Sequence, residues 1–235
     1  MTHRVFFLLS GLILFTLACR NQPTKQAVLP GAVTLIPAAA DTAWVETGID
    51  AVPETDAVFL EWIPADDGLA AAYEVWREDF GEDFRLIATL NSSALSYTDM
   101  SAACFIRYRY IVLPISDEGE AGAAGDTLQY RLLAKATALS ATEHVQPEFS
   151  WRDPNQPPES AYLLRLKQNG TERRVWRRLV ASSYSGDRES VLFNDDGTAV
   201  DAVLQKGIEY LWRVDVIGSE ANSGSESPWI SLRIQ

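Results

Sequence analysis

Two cysteines and two histidines are all that this 235-residue chain offers for thiol or imidazole chemistry. Cys19, Cys104, His3 and His144 are scattered along it. A catalytic cysteine needs a histidine to take its proton, and a structural zinc needs four paired His or Cys ligands. The spacing supplies neither, so no catalytic residue and no metal ligand is assigned, and Cys104, inside the apolar run "AACFIRYRY", reads as an inert thiol. No phosphate loop or dinucleotide fingerprint occurs, and no cofactor is expected. Two well-placed carboxylates would suffice for glycoside hydrolysis. The adjacent acids Asp66 and Asp67, Glu82 and Asp83, and Asp195 and Asp196 all lie in polar, turn-like stretches, where Asp chiefly satisfies backbone amides. A loop calcium site is the alternative use of Asp195 and Asp196. The remaining chemistry is electrostatic. "YLLRLK" and "RRVWRR" carry Arg165, Lys167, Arg173, Arg174, Arg177 and Arg178 around Trp176, and Arg213 follows in "EYLWRVDV".

Charge places these residues in context. The chain has a net charge of −12, from 32 acidic and 20 basic residues, which disfavours a phosphate-binding surface and hence nucleic acid as a partner. Residues 40–135 hold 18 acidic and 6 basic side chains, whereas residues 136–235 hold 14 and 11. The first half is therefore the acidic module, and the second carries the basic run.

The first residues, "MTHRVFFLLSGLILFTLAC", combine Arg4 with an apolar run from Val5 to Ala18. That run is short of the roughly 20 residues a spanning helix needs and ends in small residues, as export signals do. The junction "FTLAC" resembles the lipobox of bacterial lipoproteins, with Thr16 where Leu is commonest. The resemblance implies a signal peptide over 1–18 and lipidation at Cys19. Arg20, rather than Asp, follows the cysteine, which by the same resemblance implies the outer membrane of the cell envelope. "RNQPTKQAVLPGAVTLIPAA" then carries three Pro and no acid, a composition suited to an extended tether over 19–39, part of which can form a strand. With Cys19 acylated, Cys104 has no partner for an internal disulfide, so stability must come from apolar cores.

Beyond the tether, turn signals recur every several residues and apolar residues alternate, as in Val58, Leu60 and Trp62, so the chain reads as all-β. The pattern is written twice. Trp62 and Tyr73 are 11 positions apart, as are Trp151 and Tyr162. "RYRYIVLPISDEGEAG" and "EYLWRVDVIGSEANSG" place Tyr108, Tyr110 and Val112 against Tyr210, Trp212 and Val214. An internal repeat of about ninety residues implies two sandwiches rather than one barrel.

At these residues the chain resembles fibronectin type III domains: a Trp in the second strand, a Tyr in the third, and a Tyr-x-aromatic-x-Val run in the sixth. The resemblance implies two tandem immunoglobulin-like β-sandwiches, over 40–135 and 136–235. The first departs at Pro114, where that family usually has a small residue. The second is longer, with 48 positions from Tyr162 to Tyr210 against 35 from Tyr73 to Tyr108, and the extra thirteen fall in or near "NGTERRVWRRLVASSYSGDRES".

The aromatic repeat residues need only a core to explain them, since a buried Trp can bridge two sheets about 10 Å apart. Period-2 alternation points Tyr162, Leu164 and Leu166 inward and Arg165, Lys167 and Arg213 outward. The expectation is a solvent-facing basic surface of Arg165, Lys167, Arg174, Trp176, Arg178 and Arg213, with Trp176 at least partly exposed, suited to an envelope protein or an acidic glycan. Its ordinary use would be edge protection, since Arg and Lys on edge strands block sheet-to-sheet aggregation. The functional expectation is a non-enzymatic, membrane-tethered envelope protein using its domains as spacer and as protein-binding, scaffolding or adhesion surface. The alternatives are an accessory carbohydrate-binding lipoprotein and a glycan-active enzyme.

Overall fold

The computed structural model describes residues 27–155, 161–183 and 188–235. Cys19, the apolar leader and the first part of the tether lie outside these residues. Among the described residues every regular element is a strand.

The first sandwich contains β1 (Thr34–Leu35), β2 (Asp50–Ala51), β3 (Val58–Ile63), β4 (Ala72–Asp79), β5 (Arg85–Asn91), β6 (Ser96–Asp99), β7 (Arg107–Ile115) and β8 (Leu128–Leu132). Strands β1, β2 and β6 all pair antiparallel with β3, and the opposing sheet runs β5-β4-β7-β8. The alternation in β3 lands as read, with Val58, Leu60 and Trp62 buried and Phe59 and Glu61 less so. Val33 and Leu35 are buried in the same core, so this sandwich begins inside the stretch expected to be tether.

The second sandwich contains β9 (Thr137–Ala141), β10 (Glu148–Arg152), β11 (Ala161–Gln168), β12 (Arg174–Ala181), β13 (Glu189–Leu192), β14 (Glu209–Ile217), β15 (Ser223–Glu226) and β16 (Ile230–Arg233). Its sheets run β13-β10-β9 and β12-β11-β14, with β15 and β16 both on β14.

The repeated residues make repeated contacts. Trp62 meets Tyr73 edge-on at 5.6 Å and 66°, and Trp151 meets Tyr162 at 5.5 Å and 69°. The Tyr108 hydroxyl accepts the Ala103 N–H at 2.9 Å, and the Tyr210 hydroxyl accepts the Gln205 N–H at 3.0 Å. Each is a side chain bonding back five residues, the tyrosine corner that closes the turn into such a strand. Writing the pattern twice therefore builds two cores of the same design. They differ in one respect: the first holds Arg77 buried against Asp99 at 2.6 Å with the Tyr110 hydroxyl also donating to Asp99, whereas Trp212, Trp176, Phe149 and Phe193 fill the second.

The two sandwiches are not merely strung in series. Strand β15 pairs parallel with β8, Ser223 opposite Arg131 and Gly224 opposite Leu132, and merges the two larger sheets into one of nine strands. Gly224 is required there, because a Cβ would lie 2.7 Å from the Val216 carbonyl. Arg107 and Glu220 add an ion pair beside the seam.

Candidate functional site at the domain junction

Arg177 on β12, Arg165 on β11 and Arg213 on β14 stand directly opposite one another across three adjacent strands. Like charges opposed on a sheet repel, so such a row persists only if acceptors are interposed. The acceptors come from the first sandwich. Between β1 and β2 the chain leaves as an arm, closed at its base by the Ala39 N–H to the Thr47 carbonyl and the Ile49 N–H to the Ile36 carbonyl. Gly48, at φ +82°, makes this return possible, since a Cβ would collide with the Pro37 carbonyl. The arm's tip lies across the outward face of the second sandwich. Arg165 donates to the carbonyls of Asp41 and Ala43, Arg177 to that of Thr42, and Arg213 to the Glu46 carboxylate. The Trp44 ring sits 5.6 Å from the Arg174 guanidinium and 5.7 Å from that of Arg177.

Three acids complete the junction. Asp215 pairs with Arg165 at 2.5 Å and with Arg213 at 2.9 Å, Glu226 pairs with Arg213 at 2.7 Å, and Glu46 lies 2.9 Å from Arg165. Beside them the Tyr130 hydroxyl donates to Asp50 at 3.2 Å, around a cavity of about 40 Å³. Lys135, in the link between the halves, donates to the carbonyls of Val52 and Glu226. Glu46, Asp215 and Glu226 lie within 4.8 Å of one another, as metal ligands would, but two guanidiniums already neutralise that space.

Burial and the charge of Asp215 push the Glu226 carboxyl up to about 10, and burial raises Asp50 to about 6. At neutral pH Glu226 is therefore protonated. The folded protein binds these protons more tightly than the unfolded chain. The stabilisation is complete below the ordinary carboxylate range and is lost as pH rises through about 6 for Asp50 and about 10 for Glu226. Thermal stability is expected to fall between pH 6.5 and 9.5, and Glu226→Gln is expected to flatten that slope. Differential scanning calorimetry of both proteins measures it; equal slopes would show that folded Glu226 holds no extra proton in this window.

Arg165 and Arg213 are correctly placed on the outward face, yet they are 3% and 2% exposed. The expectation of solvent exposure is corrected for both, because alternation fixes the face a side chain takes and not what covers that face. Trp176 is also corrected. It is 1% exposed, packed against Phe149 and Phe193, with its indole N–H donating to Asp196 at 3.0 Å. Lys167 is half-buried with its ammonium 4.3 Å from the Trp229 ring, Arg174 is exposed, and Arg178 forks onto Asp195. The six residues thus do not form one open surface. Reading the sequence missed Glu46, Asp50, Asp215, Glu226, Trp44 and Trp229. The signal for Asp215 was there: two residues from Arg213 on one strand, it must share its face.

Two of the adjacent acid pairs hold local bonds. Asp67 accepts the Gly31 and Leu69 N–H groups, and Asp196 accepts from Trp176 and Thr198. The Cys104 thiol donates to the Leu133 carbonyl and burial raises its pKa, which keeps it a thiol.

No family model matches this chain, and no curated protein matches it. Solved structures similar to it include pectate lyase PelI from Erwinia chrysanthemi in complex with tetragalacturonic acid, at 18% identity and a TM-score of 0.33. That match covers 42% of this chain and only 28% of the lyase. A two-domain fibronectin type III segment of chicken tenascin is similar at 13% identity and a TM-score of 0.34, over 78% of this chain and 93% of that one. The FN1–FN3 domains of chicken CNTN1 are similar at 13% identity and a TM-score of 0.33, over 87% and 67%. Strand pairing within the chain itself defines the fold, two sandwiches joined through one shared sheet.

Proposed function

We propose that this is a non-enzymatic, lipid-anchored protein of the cell envelope, held at the outer membrane through Cys19, whose two fibronectin type III-like sandwiches act as one stiff spacer carrying a protein-binding or scaffolding surface. The observation that carries the reading is the junction: a shared sheet, a docked arm and a neutralised ion cluster all resist bending between the halves. A flexible chain of beads would have no use for buried arginines at that place. Stiffness suits a part that must hold a partner at fixed height above a bilayer. The partner favoured is another envelope protein. A glycan-binding module typically offers a flat exposed aromatic, whereas all seven tryptophans here are buried or half-buried. Asp67, Asp195 and Asp196, engaged in turn bonds and ion pairs, weigh against a glycan-active enzyme.

Two measurements test this. Mass spectrometry of the mature N-terminus is expected to find an acylated Cys19, and Cys19→Ser is expected to release the protein from the membrane fraction; an unmodified chain starting elsewhere would sink the anchor. Spin labels at exposed Glu82 and Lys206 are expected to give one narrow distance distribution, and a broad one would sink the stiff spacer.

A further inference from the structure

The nine-stranded sheet ends at β12 on one side and at β5 on the other, and the chain treats the two ends differently. At β12 the segment 194–204 folds over the edge. The Val200 N–H donates to the Val175 carbonyl at 2.9 Å, Asp201 pairs with Arg173, Asp195 with Arg178, and Asp196 with the Trp176 indole. This segment comes from the part of the repeat where the second sandwich is longer. The first sandwich is shorter there, and among the described residues no strand or loop pairs with the outer edge of β5. Its sequence, Arg-Leu-Ile-Ala-Thr-Leu-Asn, carries one charge, at the end, with no proline, and Leu86 is 44% exposed. An uncharged open edge is a template for pairing with another strand, and proteins normally blunt it with charge, proline or a covering loop. Leu86–Asn91 carries no charge, no proline and, among the described residues, no covering loop, and its one irregularity, the register shift at Ile87, leaves Ala88–Asn91 regular.

We propose that the free edge of β5 is a homodimerisation surface, on which β5 of a second copy of this chain pairs antiparallel across a twofold axis. The strand's own pattern selects this occupant. A twofold normal to the sheet keeps each residue on its own face, so it must pass through a residue and not between two. The register shift opposite Val75 and Trp76 leaves Ala88–Asn91 as the regular stretch. Centred on Thr89, the pairing sets Thr89 opposite Thr89 on the outward face, and Ala88 opposite Leu90 on the core face. Threonine pairs and apolar pairs are both favourable across strands. Arg85, the only charge of β5, lies beyond the register shift and outside the paired stretch, so no like charges meet at the axis. The result is one sheet running through both copies.

The test uses the full chain purified in mild detergent. Thr89→Cys is expected to form a disulfide-linked dimer on mild oxidation, whereas Lys206→Cys, far from the edge, is not. Thr89→Lys, which faces solvent in the single copy but sets two ammoniums together at the axis, is expected to weaken the dimer by at least about tenfold in Kd, equivalent to ~1.4 kcal/mol. Its melting profile at high dilution should match that of the parent chain. A parent protein that stays monomeric at micromolar concentration, equal crosslinking at both cysteines, or a dimer that Thr89→Lys leaves intact would overturn the proposal.

Discussion

Arg213→Ala is expected to cost about 3–5 kcal/mol of stability, the range for removing one partner from a buried ion cluster. Arg213 lies between Glu46, Asp215 and Glu226 and under the Trp229 ring, 4.9 Å from its guanidinium. Its loss leaves Arg165 alone against the acids of the cluster and removes the Arg213–Glu46 contact between the arm and the second sandwich. Denaturant unfolding of the variant should show the loss, and the Glu82–Lys206 distance distribution should broaden. A charge mechanism makes a second demand, that the added change Asp215→Asn recovers part of the loss. If the double variant is as unstable as the sum of the singles, packing and not charge holds the junction.

Trp176→Ala is expected to lower stability by about 3–5 kcal/mol, as large aromatic truncations in cores do. The ring lies 5.3 Å from Phe193 and 6.1 Å from Phe149, and its N–H holds Asp196 against the edge of β12. Truncation leaves a cavity and frees one end of the covering segment, so Tm should fall by more than about 10 °C. Retention of envelope partners below the new Tm should be unchanged. A variant that melts normally but loses its partner would return Trp176 to the role of a surface contact.

Much of the architecture was legible because it depends on local periods. The alternation in Val58–Ile63 could satisfy only a half-buried strand, and the 11-residue Trp-to-Tyr spacing recurs because each sandwich closes with the same edge-on ring pair. The assignment of aromatics to cores followed from chemistry, since a strand interior has no cheaper use for Trp62, Trp151 or Tyr108. Trp176 escaped that logic. Four arginines flank it, and the run looked like a surface. The bulge near Leu166 and Lys167 and the covering segment put it inside, and neither leaves a mark at that scale.

By itself the sequence determined which faces exist. Alternation sent Arg165 and Arg213 to the outward side of their sheet, and composition made the first half acidic and put the basic run in the second. Only the tertiary structure decided that the two answer each other. The acceptors for the arginine row come from Asp41, Thr42, Ala43 and Glu46, more than a hundred residues earlier in the chain. The physical reason is that a period of two reports on neighbours within one strand. What covers a face depends on how the arm leaves β1, turns at Gly48, and is brought to its place by the β8–β15 pairing, which no local pattern encodes.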